Sequence, residues 1–240
     1  MTTSRGMRAW RETGAAPLPA SFYRRTADRL APDLLGKVLA VCEKDGTVRQ
    51  GRIVEVEAYV GETDLACHAS KGLTKRTRTL YGPPGTAYVY LVYGMHELFN
   101  VVAASEGEPH AVLVRAVELA PPGGDEASTD ESGTEGASKR ASNRATRGDG
   151  PGRLTRALGI DRRFDGADLT KPPITLHDGP PPRDIVVTPR VGVGYAGPWA
   201  DAALRFVDAG SGAVSRPPRG AIGRRDLSDA PRRTRRAASG

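Results

Sequence analysis

The sequence predicts an α+β fold in one domain, built on a mostly antiparallel sheet. Short β-rich segments separated by Gly, Pro and Asp turns recur along most of the chain. Helical spacing of apolar residues is confined to the region of residues 22–34 and to a short stretch near residue 155. Strands therefore outnumber helices in the predicted fold.

The first helical region covers residues 22–34. Ser21 can cap a helix that begins at Phe22, because a serine hydroxyl can accept from a free N–H of the first turn. Pro32 lacks a backbone N–H, so we expect two short helical pieces, with Gly36 as the stop.

The strands follow. Residues 37–42, the Asp45-Gly46 turn and a second strand from Thr47 predict a β-hairpin. Along residues 52–59, period two puts Glu55 and Glu57 on the same face. Further predicted strands cover residues 86–93, 99–104, 111–118, 184–194 and 204–208, and residues 154–158 predict a short helix.

Composition divides the 240 residues into a domain and three polar extras. Residues 1–19 have no apolar run of the signal-peptide type and predict a disordered arm. Residues from about 120 to 148, rich in Gly, Ser, Thr, Ala and charge, predict a disordered insert in a domain spanning 20–215. Residues 216–240 predict a basic, disordered tail.

The cysteines and the charge restrict the class of protein. Cys42 and Cys67 form no CxxC pair, which favours a reducing, cytoplasmic setting without a disulfide framework or zinc site. No stretch approaches the roughly 18 apolar residues of a membrane span. The net charge of +7 comes mostly from the tail, because residues 216–240 hold eight Arg and two Asp. Such a tail can bind phosphates non-specifically or can be a solvated end with no partner, and the sequence favours neither interpretation.

Three features carry possible chemistry, although each has a structural alternative. Glu57 shares a strand face with Tyr59, but a single strand carboxylate is usually solvated or ion-paired. An aromatic cluster suits stacking on a flat base, although tyrosines at this spacing more often pack within a sheet. A basic run suits contact with phosphates, although such a run is more often a solvated loop. The cluster is Tyr88, Tyr90 and Tyr93, and the run is Lys71, Lys75, Arg76 and Arg78.

The order of the motifs is more specific than any single motif. In sequence they are Arg52-Ile-Val-Glu-Val-Glu57-Ala-Tyr59, Asp64-Leu-Ala-Cys-His68-Ala, Thr74-Lys-Arg-Thr-Arg78, Gly82-Pro-Pro-Gly85-Thr-Ala-Tyr88-Val-Tyr90-Leu-Val-Tyr93-Gly94-Met95-His96, Asn100, Val112-Leu-Val-Arg115-Ala, Gly150-Pro-Gly-Arg-Leu154, Ala157-Leu-Gly-Ile160 and Arg190-Val-Gly-Val-Gly-Tyr195-Ala-Gly. This set resembles the alkyladenine (3-methyladenine) DNA glycosylase family over roughly residues 20–215, outside the insert.

The resemblance implies a curved sheet with surrounding helices and a protruding β-hairpin that enters DNA. It implies a monofunctional glycosylase of base excision repair, which flips an alkylated or deaminated purine from double-stranded DNA and hydrolyses its N-glycosidic bond. Glu57 matches the base that activates water, and Arg115 matches a cation beside that water and a phosphate. The resemblance implies no cofactor, no metal and a monomer, which would be nucleoid-associated in a bacterium.

The resemblance also assigns the residues that hold DNA. Tyr59, His68 and Tyr90 match those that enclose the flipped base, and Asn100 matches the residue that crowds the 2-amino group of guanine. Tyr93 and Met95 would sit at a hairpin tip wedged into the duplex. The basic run is expected from its charge, and not from the resemblance, to contact the DNA backbone through Lys71, Lys75, Arg76 and Arg78.

Three alternatives remain open on the sequence. Glu55 shares the face of Glu57 and competes for the role of base, although it could instead support Arg115. The chain could be a lesion-binding relative that does not cut. It could also be a hydrolase or transferase of free nucleosides, in which Tyr93 would have no role.

We expect the insert at about 120–148 to be dispensable, because its composition cannot bury a core. A variant with a short Gly-Ser linker in its place should fold and should excise damaged bases at the wild-type rate. Circular dichroism and a single-turnover excision assay measure the two properties. A folded but inactive deletion variant would contradict the expectation.

Overall fold

Strand β2 is the centre of the fold, because it pairs along both of its edges. The computed structural model describes residues 16–120 and 147–218 and the backbone of 223–224. Within them nine strands form one curved antiparallel sheet in the order β3-β4-β5-β2-β8-β7-β9, and β1 pairs with both β2 and β6. The strands are β1 (Val38–Cys42), β2 (Val48–Val60), β3 (Ala87–Val92), β4 (His96–Ala103), β5 (His110–Leu119), β6 (Ile174–His177), β7 (Ile185–Thr188), β8 (Arg205–Asp208) and β9 (Gly223–Arg224).

The predicted hairpin is confirmed. Strands β1 and β2 pair antiparallel from Val38 opposite Arg52 to Cys42 opposite Val48. Gly46 in the turn has a φ of 85°, a conformation that glycine adopts without a steric penalty.

The α-helices come from two segments of the chain, residues 20–34 and 151–158, and pack against the sheet. They are α1 (Ala20–Tyr23), α2 (Ala27–Leu34) and α3 (Pro151–Leu158), with 3₁₀ helices at His68–Lys71, Arg78–Tyr81, Arg162–Phe164 and Gly197–Ala200. Two short helices at the start are confirmed, but the predicted cause of the break is wrong, because Pro32 lies inside α2. Ser21 is not the N-cap either, since α1 starts at Ala20, two residues before the predicted Phe22, and Pro19 holds the N-cap position.

The main core lies between these helices and the central strands. Leu30 and Leu34 of α2 and Leu154 of α3 pack with Phe99 of β4 and Ile53 of β2, all fully buried. Each such side chain stabilises the fold by roughly 1.5–3 kcal/mol relative to its exposed state. This layer fixes β2, β4 and β5 and therefore the side chains on their opposite face.

The late strand predicted at 184–194 is too long. Strand β7 ends at Thr188, because Pro189 has no N–H to donate to a ladder, and Gly192 follows with a φ of 77°. Residues 189–193 form a loop instead, with a bend at Val191 and Gly192. Strand β6 was not predicted at all, because its four residues lie between proline-rich segments.

Most of the predicted arm, insert and tail lies outside the described residues. Where described, their ends belong to the fold: Leu18 is buried and donates its N–H to Leu176, and Gly223 pairs with β7. The ends of the insert are also held, since Ala120 donates to Gln50 and the carbonyl of residue 148 accepts from Val117. No helix among the described residues is both long enough and apolar enough to cross a membrane.

Candidate active site

Two compensating bulges bring Arg115 to the carboxylates of β2. At adjacent positions of the β2–β5 ladder, Val54 is an extra residue on β2 and Arg115 is an extra residue on β5. A bulge re-aims a side chain without ending the ladder. Arg115 Nε lies 2.9 Å from Glu55 Oε1, and its Nη1 lies 3.3 Å from Glu57 Oε1. Glu55 and Glu57 therefore lie on the same face of β2, as predicted.

Glu55 is surrounded by donors. Its Oε1 accepts from Arg115, from Arg205 Nε at 2.8 Å and from Ser215 Oγ at 2.9 Å. Its Oε2 accepts the backbone N–H of Ser215 at 2.6 Å. With no exposed surface and two cations beside it, this carboxylate is held as a structural anion.

Glu57 is equally buried but has fewer donors. Its Oε1 accepts the N–H of Val191 at 2.7 Å and faces Arg115, while its Oε2 accepts the hydroxyl of Tyr59 at 3.0 Å. An ionised carboxylate can accept about four hydrogen bonds. Among the described residues Glu55 accepts four and Glu57 accepts two, so Glu57 is the carboxylate with more capacity left to accept from a water.

Burial and charge fix the protonation states around Glu57. Burial first, and then Glu57, raise the pKa of Tyr59 well above its usual range, so this phenol keeps its proton and donates. Burial opposes the charge of Arg115, but Glu57 and Glu55 outweigh it and raise the pKa of Arg115. The group thus holds a permanent cation between two carboxylates.

An aromatic wall stands beside this cluster. The ring of His68 lies 4.5 Å from that of Tyr90 at an interplanar angle of 67°, and Tyr90 lies 5.2 Å from Tyr88. The His68 Nδ1 is 3.0 Å from the Tyr88 hydroxyl. Burial first, and then Arg76, lower the pKa of His68 to about 4, so its ring is uncharged at neutral pH. The Asn100 amide donates to the Tyr88 carbonyl and is buried in the neighbouring strand.

A buried ion pair between Asp64 and Arg190 lies against the ring of Tyr59, and the sequence did not predict it. Arg190 and Asp64 have fully buried side chains and are joined by two hydrogen bonds, one of 2.8 Å. The Arg190 guanidinium lies 4.7 Å from the Tyr59 ring centroid, and the next residue, Val191, holds Glu57. Both residues stood in recognised motifs, but 126 positions separate them, so spacing alone gave no sign of their contact.

The other predicted residues lie at the surface. Tyr93 is 88% exposed and Met95 70% exposed, at the turn between β3 and β4. Tyr93 and Gly94 have φ angles of 50° and 67°, and Met95 donates its N–H to Val92. The basic run is exposed as well, and of its members Arg76 reaches the pocket, with its guanidinium carbon 5.5 Å from the Tyr90 ring centroid.

Metal ligation has no candidate in the part of the chain that the structure describes. No three of its His, Cys, Asp and Glu side chains are grouped so that they could hold an ion. Cys67 is buried, and burial raises the pKa of its thiol to about 11, which disfavours the thiolate that metals bind.

Comparison with known proteins identifies relatives over most of the chain. The sequence profile of the methylpurine-DNA glycosylase family matches residues 21–212. Three relatives carry the name "Putative 3-methyladenine DNA glycosylase". The one from Myxococcus xanthus (strain DK1622) is 48% identical over 84% of this chain and 94% of its own. Those from Legionella pneumophila (strain Lens) and Methanocella arvoryzae (strain DSM 22066 / NBRC 105507 / MRE50) are each 44% identical, over 79% and 83% of this chain and 92% and 96% of their own.

We expect Asp64→Asn to destabilise the protein strongly. The substitution leaves the buried Arg190 guanidinium without a counter-charge, which should lower the free energy of unfolding by about 3 kcal/mol or more in urea titrations. Asp161→Asn is the matched control, because its partner Arg163 is exposed and the loss should stay below about 1 kcal/mol. Equal losses in the two variants would contradict this role for Asp64.

We expect His68 to make the fold sensitive to acid. Because burial and Arg76 lower its pKa in the folded state from 6.5 to about 4, the unfolded chain binds more protons between these values. Stability should therefore fall as the pH drops through that window, and His68→Gln should reduce the fall in Tm between about pH 7 and pH 5. His96→Gln, at the exposed hairpin, should leave the wild-type fall unchanged. An undiminished fall in His68→Gln would refute the expectation.

Proposed function

Because this chain belongs to the methylpurine-DNA glycosylase family, we propose that it flips damaged purines out of duplex DNA and hydrolyses their N-glycosidic bond with a water activated by Glu57. The names of the relatives specify 3-methyladenine. We extend the proposed substrates to other alkylated or deaminated purines, namely 7-methylguanine, hypoxanthine and ethenoadenine.

The observation that carries the proposal is the difference between the two buried carboxylates. Glu55 accepts four hydrogen bonds from Arg115, Arg205 and Ser215, which leaves it little capacity for a further donor. Among the described residues Glu57 accepts only two, from the N–H of Val191 and from the Tyr59 hydroxyl, so it retains capacity to accept from a water beside Tyr59. A water held there would lie beside a base stacked on Tyr59.

The reaction needs one proton acceptor and one anion. The water oxygen bonds to C1′ of the sugar, and the C1′–N bond breaks with its electron pair moving to the purine. Glu57 takes the proton of the water, and its charge also stabilises the oxocarbenium-like sugar before attack. Arg115 positions Glu57 through the 3.3 Å ion pair. The products are the free base and an abasic site.

The proposed base pocket is lined by aromatic rings that are themselves uncharged. Tyr59, His68 and Tyr90 would enclose the base, since all three are partly exposed and close to Glu57 or to one another. Stacking on aromatic rings contributes on the order of 1–3 kcal/mol per base. A neutral His68 does not repel a base that carries a positive charge from alkylation. Asn100, buried beside Tyr88, is proposed to crowd the 2-amino group of guanine.

The exposed hairpin is proposed to replace the flipped base in the duplex. Burying an aromatic ring between base pairs would offset the stacking lost on flipping, and Tyr93 is the most exposed large apolar side chain described. Met95 would lie against the groove beside it. Lys71, Lys75 and Arg78 are proposed to contact phosphates.

The proposed enzyme acts as a monomer through a domain of residues 20–215. It is proposed to leave the DNA strand intact, because the side chains described in contact with Glu57 are a phenol and a guanidinium, and neither can form a Schiff base.

The test is excision by Glu57→Gln. The amide has nearly the size of the carboxylate but cannot take the proton, so single-turnover excision should slow by about 10²–10⁴-fold. Binding to a lesion duplex should remain close to that of the wild type. Glu62→Gln, an exposed carboxylate that accepts from Tyr81, is the control and should retain full excision.

Three outcomes would contradict the proposal. Full turnover by Glu57→Gln would remove Glu57 from the role of base. No excision by the wild type from any lesion duplex would indicate a lesion-binding protein instead. Activity on free nucleosides but not on duplex DNA would indicate a nucleoside hydrolase.

A further inference from the structure

Arg76 departs from the other basic residues of its loop. The sequence placed it among four side chains that contact the DNA backbone, yet its guanidinium carbon lies 5.5 Å from the Tyr90 ring centroid. It also acts on the two aromatic neighbours of Tyr90. It lowers the pKa of His68, after burial, and it opposes the burial that raises the pKa of Tyr88 to about 12. Arg76 therefore belongs to the pocket.

Hydrogen bonds among Gly72, Thr74 and Thr77 close the loop that carries Arg76. Thr77 Oγ1 accepts the N–H of Thr74 at 2.8 Å and donates to the Gly72 carbonyl at 2.9 Å. The N–H of Thr77 donates back to Thr74 Oγ1 at 3.2 Å, and Thr77 is buried. These bonds join the backbone before Arg76 to the backbone after it, so the side chain extends toward Tyr90 from a fixed point.

A guanidinium near an aromatic ring affects cationic and neutral bases differently. Purines alkylated at N3 or N7 are cations, and they gain from aromatic rings by the same attraction that holds Arg76 near Tyr90. A cationic base at this wall must displace the guanidinium or bear its repulsion in a partly desolvated pocket. A neutral base meets no such repulsion, and it can accept hydrogen bonds from the guanidinium through its ring nitrogens or carbonyl.

We propose that Arg76 is a specificity-determining residue of the base pocket, where its guanidinium disfavours cationic purines relative to neutral ones. The inference rests on the proposed glycosylase function and adds to it the substrate class that one residue selects. It changes the predicted role of Arg76 from phosphate contact to discrimination between bases.

The test compares two lesions in the same duplex sequence. Single-turnover excision of 7-methylguanine, a cationic base, and of hypoxanthine, a neutral base, is measured for the wild type and for Arg76→Ala. The ratio of the cationic to the neutral rate should rise by about tenfold in Arg76→Ala, which corresponds to about 1.4 kcal/mol. Arg76→Gln should give a similar rise, and Arg76→Lys, which keeps the charge, should stay near the wild-type ratio.

Arg78→Ala is the matched control, because Arg78 is an exposed arginine two positions away in the same basic run. It should change both rates by the same factor and leave the ratio unchanged. An Arg76→Ala variant that slows both lesions equally, with a weaker salt dependence of binding, would make Arg76 a phosphate contact and overturn the inference. An unchanged or lower ratio would overturn it as well. If the wild type excised neither base, the proposed function itself would fail, and the inference with it.

Discussion

The structure depends on how two adjacent carboxylates can be buried side by side. Glu55 and Glu57 have no exposed surface, and each would be costly to bury as an anion without a counter-charge. Arg115 lies against both, and Arg205 lies against Glu55, so two cations face two anions. Because breaking a buried pair leaves an uncompensated charge, all four side chains constrain one another.

This cluster joins parts of the chain that are remote in sequence. Arg205 belongs to β8, and Ser215 lies in the segment that follows it, yet both bind the same carboxylate. Val191 binds Glu57 while the preceding Arg190 lies against Tyr59. The loop after β7 therefore sets the position of the carboxylate and of the ring together. A shift of that loop would move both, so the positions of Glu57 and Tyr59 are coupled in this fold.

The sequence predicted what local patterns encode. Alternation along β2 put Glu55 and Glu57 on one face, and Asp45-Gly46 marked the turn of the first hairpin. It could not predict which carboxylate has spare capacity to accept a hydrogen bond, because three of the four hydrogen bonds to Glu55 come from residues 150 and 160 positions later. The support of Tyr59 by Arg190 was hidden for the same reason. The break between α1 and α2 was attributed to Pro32, but tertiary packing tolerates this proline within α2. Nor could Arg76 be separated from its basic neighbours before the Tyr90 ring was placed near it.

The two bulges also constrain how this sheet can change over evolutionary time. Ile53 opposes Val117 before them and Glu57 opposes Leu113 after them, so the surplus Val54 on one strand cancels the surplus Arg115 on the other. Loss of either residue alone would shift one strand by a single position and turn its later side chains to the opposite face. Only the loss of both surplus positions together would keep the register beyond them. A substitution within β2 or β5 keeps that register, whereas a single insertion or deletion there does not unless the opposite strand compensates for it.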